Sequence, residues 1–256
     1  MKRHIALLVA GSCLLFCGAR LAAGEGDQEA FDLVERAGCV AWPDDFKMDA
    51  KVLREKNGQE VFGVNHVFFM AAEEGHAAHV GDAYAIYRAK GHVKGGEDRH
   101  DQGILFQGVG VAQVLYVDPE TILARVEKQY DGVRTGDGLR LRNTDKKAFA
   151  SARKKKAVVD AAKASSLKGG ITHIAHEHGV AKSGELVYLD LGEESGLVPG
   201  DRLKIYRVAP ASGDRDGTIG ELGEVEIISA RKETSAALII KTMVGLRVGD
   251  QVQPMD

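Results

Sequence analysis

The chain repeats itself, and the repeat limits the folds open to it more than any other feature. Gly81-Asp82-Ala83-Tyr84-Ala85-Ile86-Tyr87-Arg88 matches Gly200-Asp201-Arg202-Leu203-Lys204-Ile205-Tyr206-Arg207 at five of eight positions. Gly110 to Asp137 aligns without a gap on Gly223 to Asp250, with nine identities in 28 positions, where ordinary residue frequencies would give about two. Both copies end on Gly-x-Arg-x-Gly-Asp, as Gly132 to Asp137 and Gly245 to Asp250, and both keep Glu-Thr near the midpoint, at Glu120-Thr121 and Glu233-Thr234. The copies run over 57–142 and 171–256. Each must bury a core of its own, so the fold is two small units in tandem.

Within a copy the apolar period is two. Val109, Val111, Val114, Leu123 and Val126, and in the second copy Leu186, Tyr188, Leu203, Ile205, Val225, Ile227 and Ile239, lie in short runs bounded by Gly, Asp and Pro, the grammar of strands of about 5–6 residues. The composition agrees: 31 Gly against 5 Pro favours frequent turns over long helices. Two Gly-Asp pairs per copy, Gly81-Asp82 and Gly136-Asp137, then Gly200-Asp201 and Gly249-Asp250, mark corners. There Gly accepts a positive φ and the Asp carboxylate takes up backbone N–H groups. Five or six strands in so short a unit curl into a barrel that closes its own edges. The predicted fold is mainly β, two tandem small β-barrels.

Residues 1–23 have the form of a signal peptide: Lys2 and Arg3 precede an apolar run from Ile5 to Phe16, with small residues at Ala22-Ala23. The segment holds three cations and no acid, so its removal takes the net charge from −3 to −6. An acidic exported chain is a poor partner for nucleic acid, and the expected location is periplasmic or secreted, with membrane contact peripheral if any. Cleavage leaves Cys39 as the one cysteine, free or linked to another chain, and no internal disulfide framework. Cys17 also stands where a lipoprotein cysteine would, with Phe16 in place of the small residue that such a motif carries.

Residues 24–56 read as an N-terminal helical segment, its helix over 27–37 apolar on Ala30, Phe31, Val34 and Ala37. Residues 143–170 read as a helical connector, rich in Ala, Lys and Arg and free of Pro and Gly from Asp145 to Leu167. Lys154, Lys155 and Lys156 lie in this basic stretch, which is either a solvated face or a contact for an anionic envelope surface.

The run from Gly184 through Gly192, Gly196 and Gly200-Asp201 to Tyr206-Arg207 resembles the C-terminal domain of the flagellar assembly protein T family. A similar unit occurs in duplicate in secreted bacterial proteins that carry a LysM peptidoglycan-binding module. The resemblance covers both copies and implies SH3-like barrels that bind or assemble in the cell envelope without catalysis. It brings no catalytic residues. Gly81-Asp82 echoes the start of LysM itself, but strand-like sequence follows where that module has helices.

His176 and His178, which share a face if they lie on a strand, and the neighbouring His173 are the candidate ligands for zinc or copper; no distant carboxylate or cysteine motif stands at a recognisable spacing from them. His76, His79, His100 and Asp101 form a looser group. The strings Ser151 to Lys154 and Ser165 to Lys168 lack the partner motifs of penicillin-recognising enzymes. Gly108-Val109-Gly110 reads as a strand with close backbone packing, without the third glycine of a dinucleotide loop. The pairs Tyr87-Arg88 and Tyr206-Arg207 recur at one repeat position. Either Tyr packs at the barrel end with Arg in solvent, or both are contact residues. These patterns predict a non-enzymatic protein without a cofactor, whose partners are envelope proteins or peptidoglycan; binding of a metal by the histidines is a further alternative.

Overall fold

The computed structural model describes residues 25–95, 100–142, 167–175, 179–208 and 218–255. The expected signal peptide, the connector up to residue 166, Lys154, Lys155, Lys156, His176 and His178 lie outside these residues.

The first half contains α1 (Glu25–Ala37), β1 (Cys39–Ala41), β2 (Ala50–Glu55), β3 (Val61–Phe62), β4 (Val67–Ala72), β5 (Ala83–Gly95), β6 (His100–Val117), β7 (Ile122–Gln129), β8 (Val133–Arg134) and β9 (Gly138–Leu141). Six strands close into an antiparallel barrel in the order β6-β5-β9-β2-β4-β7 and back to β6, with β1 added on β6. The second half contains β10 (Gly169–Ile174), β11 (Leu186–Leu189), β12 (Arg202–Val208), β13 (Thr218–Ala230), β14 (Ser235–Thr242) and β15 (Gln251–Pro254). These close in the same cyclic order, β13-β12-β15-β10-β11-β14. The chain is thus mainly β, with two tandem small barrels.

The repeat reaches further back than sequence identity does. Val52 N–H donates to the Asp137 carbonyl and Ile171 N–H to the Asp250 carbonyl, both at 2.8 Å, so β2 is the counterpart of β10. The first barrel therefore begins near Ala50 and the second at Gly169, against the 57 and 171 expected. The segment 24–56 is helical only through Ala37, and Gly169 and Gly170 belong to a strand instead of the connector. The reason is plain in the residues: Ala-Lys-Val-Leu-Arg-Glu and Gly-Gly-Ile-Thr-His-Ile share no identity at any matched position.

Inward-facing residues pair off between the copies. Val52, Ile86, Val114, Val126, Val133 and Leu139 fill the first barrel, and Ile171, Ile205, Ile227, Ile239, Leu246 and Val252 hold the same places in the second. The two interiors are separate cores. A third cluster joins the barrels, in which Ala37, Val40, Val93 and Leu105 meet Leu186, Tyr188 and Ala236. This explains why β11 is buried along its whole length: Val187 and Leu189 point into the barrel, while Leu186 and Tyr188 point at α1 and β1. Hydrogen bonds sew the seam, from Tyr188 Oη to the Ala37 carbonyl at 2.7 Å and from Thr234 Oγ1 to the Val40 carbonyl at 3.0 Å.

Helix α1 lies against β6, and glycine permits it. A β-carbon at Gly108 would stand 1.9 Å from the Glu35 carbonyl oxygen. Gly38, at φ +62°, ends the helix, its N–H reaching the Val34 carbonyl at 3.0 Å, the left-handed C-terminal stop that glycine makes cheaply. A β-carbon at Gly38 would collide with the Phe106 carbonyl oxygen at 1.8 Å. Polar contacts complete the dock: Arg142 Nε donates to Glu35 at 2.5 Å, and Lys128 pairs with Asp32.

Two predictions follow from this dock. Gly108→Ala should destabilise the protein by about 1–3 kcal/mol in urea melts, because the helix backbone must retreat, whereas Gly220→Ala, with open space around it, should change little. Burial raises the Glu35 carboxyl above its ordinary 4.5, against the opposing pull of Arg142. A raised folded value means that the folded protein binds this proton more readily than the unfolded chain. Stability relative to Glu35→Gln should then be greatest below 4.5 and decline as pH rises through the folded value. A gap between the two urea midpoints that widens in favour of the parent protein on going from pH 4.5 to pH 7 would contradict it.

Candidate functional site

The four Gly-Asp corners share one geometry. Gly81, Gly136, Gly200 and Gly249 have φ of +94°, +87°, +96° and +93°. In each turn the Asp N–H returns to the carbonyl three residues back, at 3.1–3.2 Å for His79, Arg134, Val198 and Arg247, the signature of a type II turn with glycine third. The Asp carboxylate then takes the N–H of that same first residue, at 2.8 Å from His79, 2.8 Å from Arg134, 2.9 Å from Val198 and 2.7 Å from Arg247. Pro199 occupies the second position of its turn, where its fixed φ belongs. The exposed Val80 and Val248 hold the same position in theirs.

The second corner of each copy does more. Arg88 Nε and Nη2 donate to the two carboxylate oxygens of Asp137 at 2.9 and 2.7 Å, and Nη2 also reaches the Gly132 carbonyl at 2.5 Å. Arg207 Nε and Nη2 meet Asp250 at 2.6 and 2.8 Å, with Nη2 on the Gly245 carbonyl at 3.2 Å. Arg88 is 12% exposed and Asp137 4%; Arg207 is 30% and Asp250 3%. The hydrogen bonds to these carboxylates raise both guanidinium pKa values. The arginines thus do not point into solvent: they are bolts that tie the strand after the first corner to the second corner. The signal for this was present in sequence, since Arg88 and Asp137, like Arg207 and Asp250, recur together, but nothing in spacing pairs residues 49 and 43 positions apart.

Tyr87 packs edge-on against Phe46, with centroids 5.1 Å apart, and burial raises its hydroxyl pKa. Tyr206 is partly buried on β12. Tyr87, Arg88 and Arg207 are thus each held by a contact within the protein.

His173 lies on β10 with its ring 5.9 Å from that of Tyr188, and desolvation lowers its pKa. His76 Nε2 is 2.7 Å from Tyr84 Oη and His79 is beside Asp82, whereas Asp101 pairs with His92. The looser histidine group is thus split between opposite ends of the β5–β6 hairpin. Among the described residues no three His, Cys, Asp or Glu side chains are grouped to hold a metal ion.

A surface that the sequence reading missed is carried by the bolted corners. Val61, 51% exposed, touches the place where a side chain at Gly132 would stand, and Val180, 36% exposed, does the same at Gly245. Val64 near the first, and Met243 and Val244 near the second, are also exposed. Both barrels thus present an exposed valine over a glycine whose carbonyl an arginine holds. The weak identity between Gln-Glu-Val61-Phe62 and Gly-Val180-Ala181 hid the correspondence; the Val61–Arg134 pairing and the Ala181–Leu246 bridge reveal it.

Removing one partner of a buried ion pair strands the other charge, at a cost of about 3–5 kcal/mol. Arg88→Ala should accordingly lower the urea midpoint severely, and Arg207→Ala by less because its guanidinium is more exposed. Equal stability of either variant and the parent in equilibrium melts would contradict the bolt.

No family model matches the chain, and no curated protein matches it.

Proposed function

We propose that this is an exported, non-enzymatic protein of the cell envelope, a two-barrel scaffold that binds protein partners, with flagellar assembly as its setting. The observation that carries the reading is the duplicated, exposed valine end, Val61 over Gly132 and Val180 over Gly245, each glycine carbonyl being held by the arginine of an Arg–Asp bolt. Exposed apolar side chains on a rigid support are what a contact surface needs, because little side-chain or backbone order has to be gained on binding. The leader-like residues 1–23 and the likeness to the flagellar assembly protein T family support the envelope setting.

Val61→Asp and Val180→Asp together test the reading. The tagged protein should retain its partner in pull-downs from envelope fractions, and the double variant should lose it while melting within about 0.5 kcal/mol of the parent, as exposed substitutions do. Retention of the partner by the double variant would remove the valine ends from the function. The basic stretch Lys154–Lys156 favours peptidoglycan as a second partner; cosedimentation with purified sacculi in the absence of other proteins would support that reading in place of the first.

A further inference from the structure

The two barrels carry matching outer faces, one covered and one open. In the second barrel a row of side chains crosses four strands, His173, Tyr188, Ala236 and Ser229 lying opposite one another on β10, β11, β14 and β13. Tyr188 and Ala236, with Leu186 and Ile228 beside them, pack against Ala37 and Val40 of the α1–β1 segment. Tyr188 and Ser229 also donate to the Ala37 and Gly38 carbonyls, at 2.7 and 3.5 Å. The same row in the first barrel is Arg54, Phe69, Leu123 and Tyr116, on β2, β4, β7 and β6. Val67 and Leu115 stand where Leu186 and Ile228 do. Phe68, Met70 and Ala124, between these residues, belong to the barrel interior, so the row faces outward. Helix α1 and β1 meet β6 at its other end, by Phe106 and Gly108, and leave this row open: Val67, Phe69 and Leu123 are only partly buried, Tyr116 is 49% exposed and Leu115 38%.

The covered face shows what such a surface takes: a short amphipathic helix running into a strand. Charge narrows the choice. In the place of His173 the first barrel has Arg54, exposed, with its guanidinium carbon 4.0 Å from the centroid of the Phe69 ring. Lys51, also exposed, lies opposite Ala71 in the next row. Among the described residues neither has a carboxylate partner. The ring leaves the fork of Arg54 open to a carboxylate, which a guanidinium binds through paired donors. Helix α1 has the matching character, five acids against one base, but in any copy of the chain it is already held in its own seam. We propose that the open face of the first barrel binds an acidic amphipathic helix of a partner protein, its apolar side on Phe69, Leu123 and Tyr116 and a carboxylate on Arg54. Leu123 and Tyr116 are larger than Ala236 and Ser229, so this helix meets side chains where the α1–β1 segment brings its backbone close. The face uses none of the residues of the valine ends and stands without the function proposed for them.

The probe is a fluorescently labelled peptide of residues 25–41 carrying Cys39→Ser, titrated with the full chain and followed by anisotropy. Saturable binding of one peptide per chain is expected, weakened by added potassium chloride. Phe69→Ala should weaken it about tenfold or more, the loss of a central aromatic anchor. Arg54→Gln should weaken it about threefold, as for an exposed ion pair, while Arg202→Gln, which removes an exposed cation of the second barrel, should leave it unchanged. Should Phe69→Ala fail to fold, Tyr116→Ser, which copies Ser229 at an exposed position, should weaken binding in its place. Absence of saturable binding would overturn the inference. So would binding that the face variants leave unchanged, which would put the peptide in the seam in exchange for the chain's own α1. Self-association of the parent chain in sedimentation, abolished by Phe69→Ala, would also overturn it, because a second copy would then occupy the face.

Discussion

A carboxylate that serves two masters holds each barrel in shape. Asp137 and Asp250 accept the first N–H of their own turn and, with the same two oxygens, both arms of an arginine rooted in another strand. The turn alone would be a local hydrogen bond worth about a kilocalorie. Coupled to the guanidinium, it becomes a tie across the barrel, fixing where β9 leaves the corner relative to β5 in one copy and β15 relative to β12 in the other. The remaining corner carboxylates, Asp82 and Asp201, accept the turn N–H. That difference between otherwise equal corners gives the barrel a braced end, and the exposed valines lie over the glycines whose carbonyls are held there.

The second constraint is backbone proximity. Helix α1 and strand β1 fill the seam only because Gly108 and Gly38 lack side chains. The seam then gathers hydroxyl groups of the second barrel, Tyr188 and Thr234, on carbonyls of the α1–β1 segment. These bonds satisfy buried polar groups that the close approach would otherwise strand. A short amphipathic helix, marginal on its own, thereby becomes a part shared by two cores.

Much of this was legible in the residues, and what was not has identifiable causes. The repeat, the period-two strands and the corners could be read because each is local: Gly81-Asp82 states its turn in two letters. The start of each barrel was hidden because β2 and β10 are matched by bonding partner and inward face, and not by identity. The destination of Arg88 was hidden because an ion pair across 49 positions leaves no periodic trace. The apolar stripe of α1 was visible, but Glu35 sits buried on the helix, and only the position of Arg142 makes sense of it. Asn65, at φ +69°, takes the left-handed place that Gly184 holds in the second copy. Asparagine tolerates that conformation, so a third corner per repeat escaped a search for glycine.

The cyclic order of the strands has a kinetic side. In each barrel the first and last strands in sequence are neighbours, β2 with β9 and β10 with β15, so closure waits for the end of each unit and spans most of its length, the kind of distant pairing that makes folding slow. The first barrel can complete itself, with α1 and β1 laid on β6, while β15 has yet to be synthesised. Until the second barrel is made, Ala37, Val40 and Leu105 lack Leu186, Tyr188 and Ala236, the apolar partners that cover them in the finished seam.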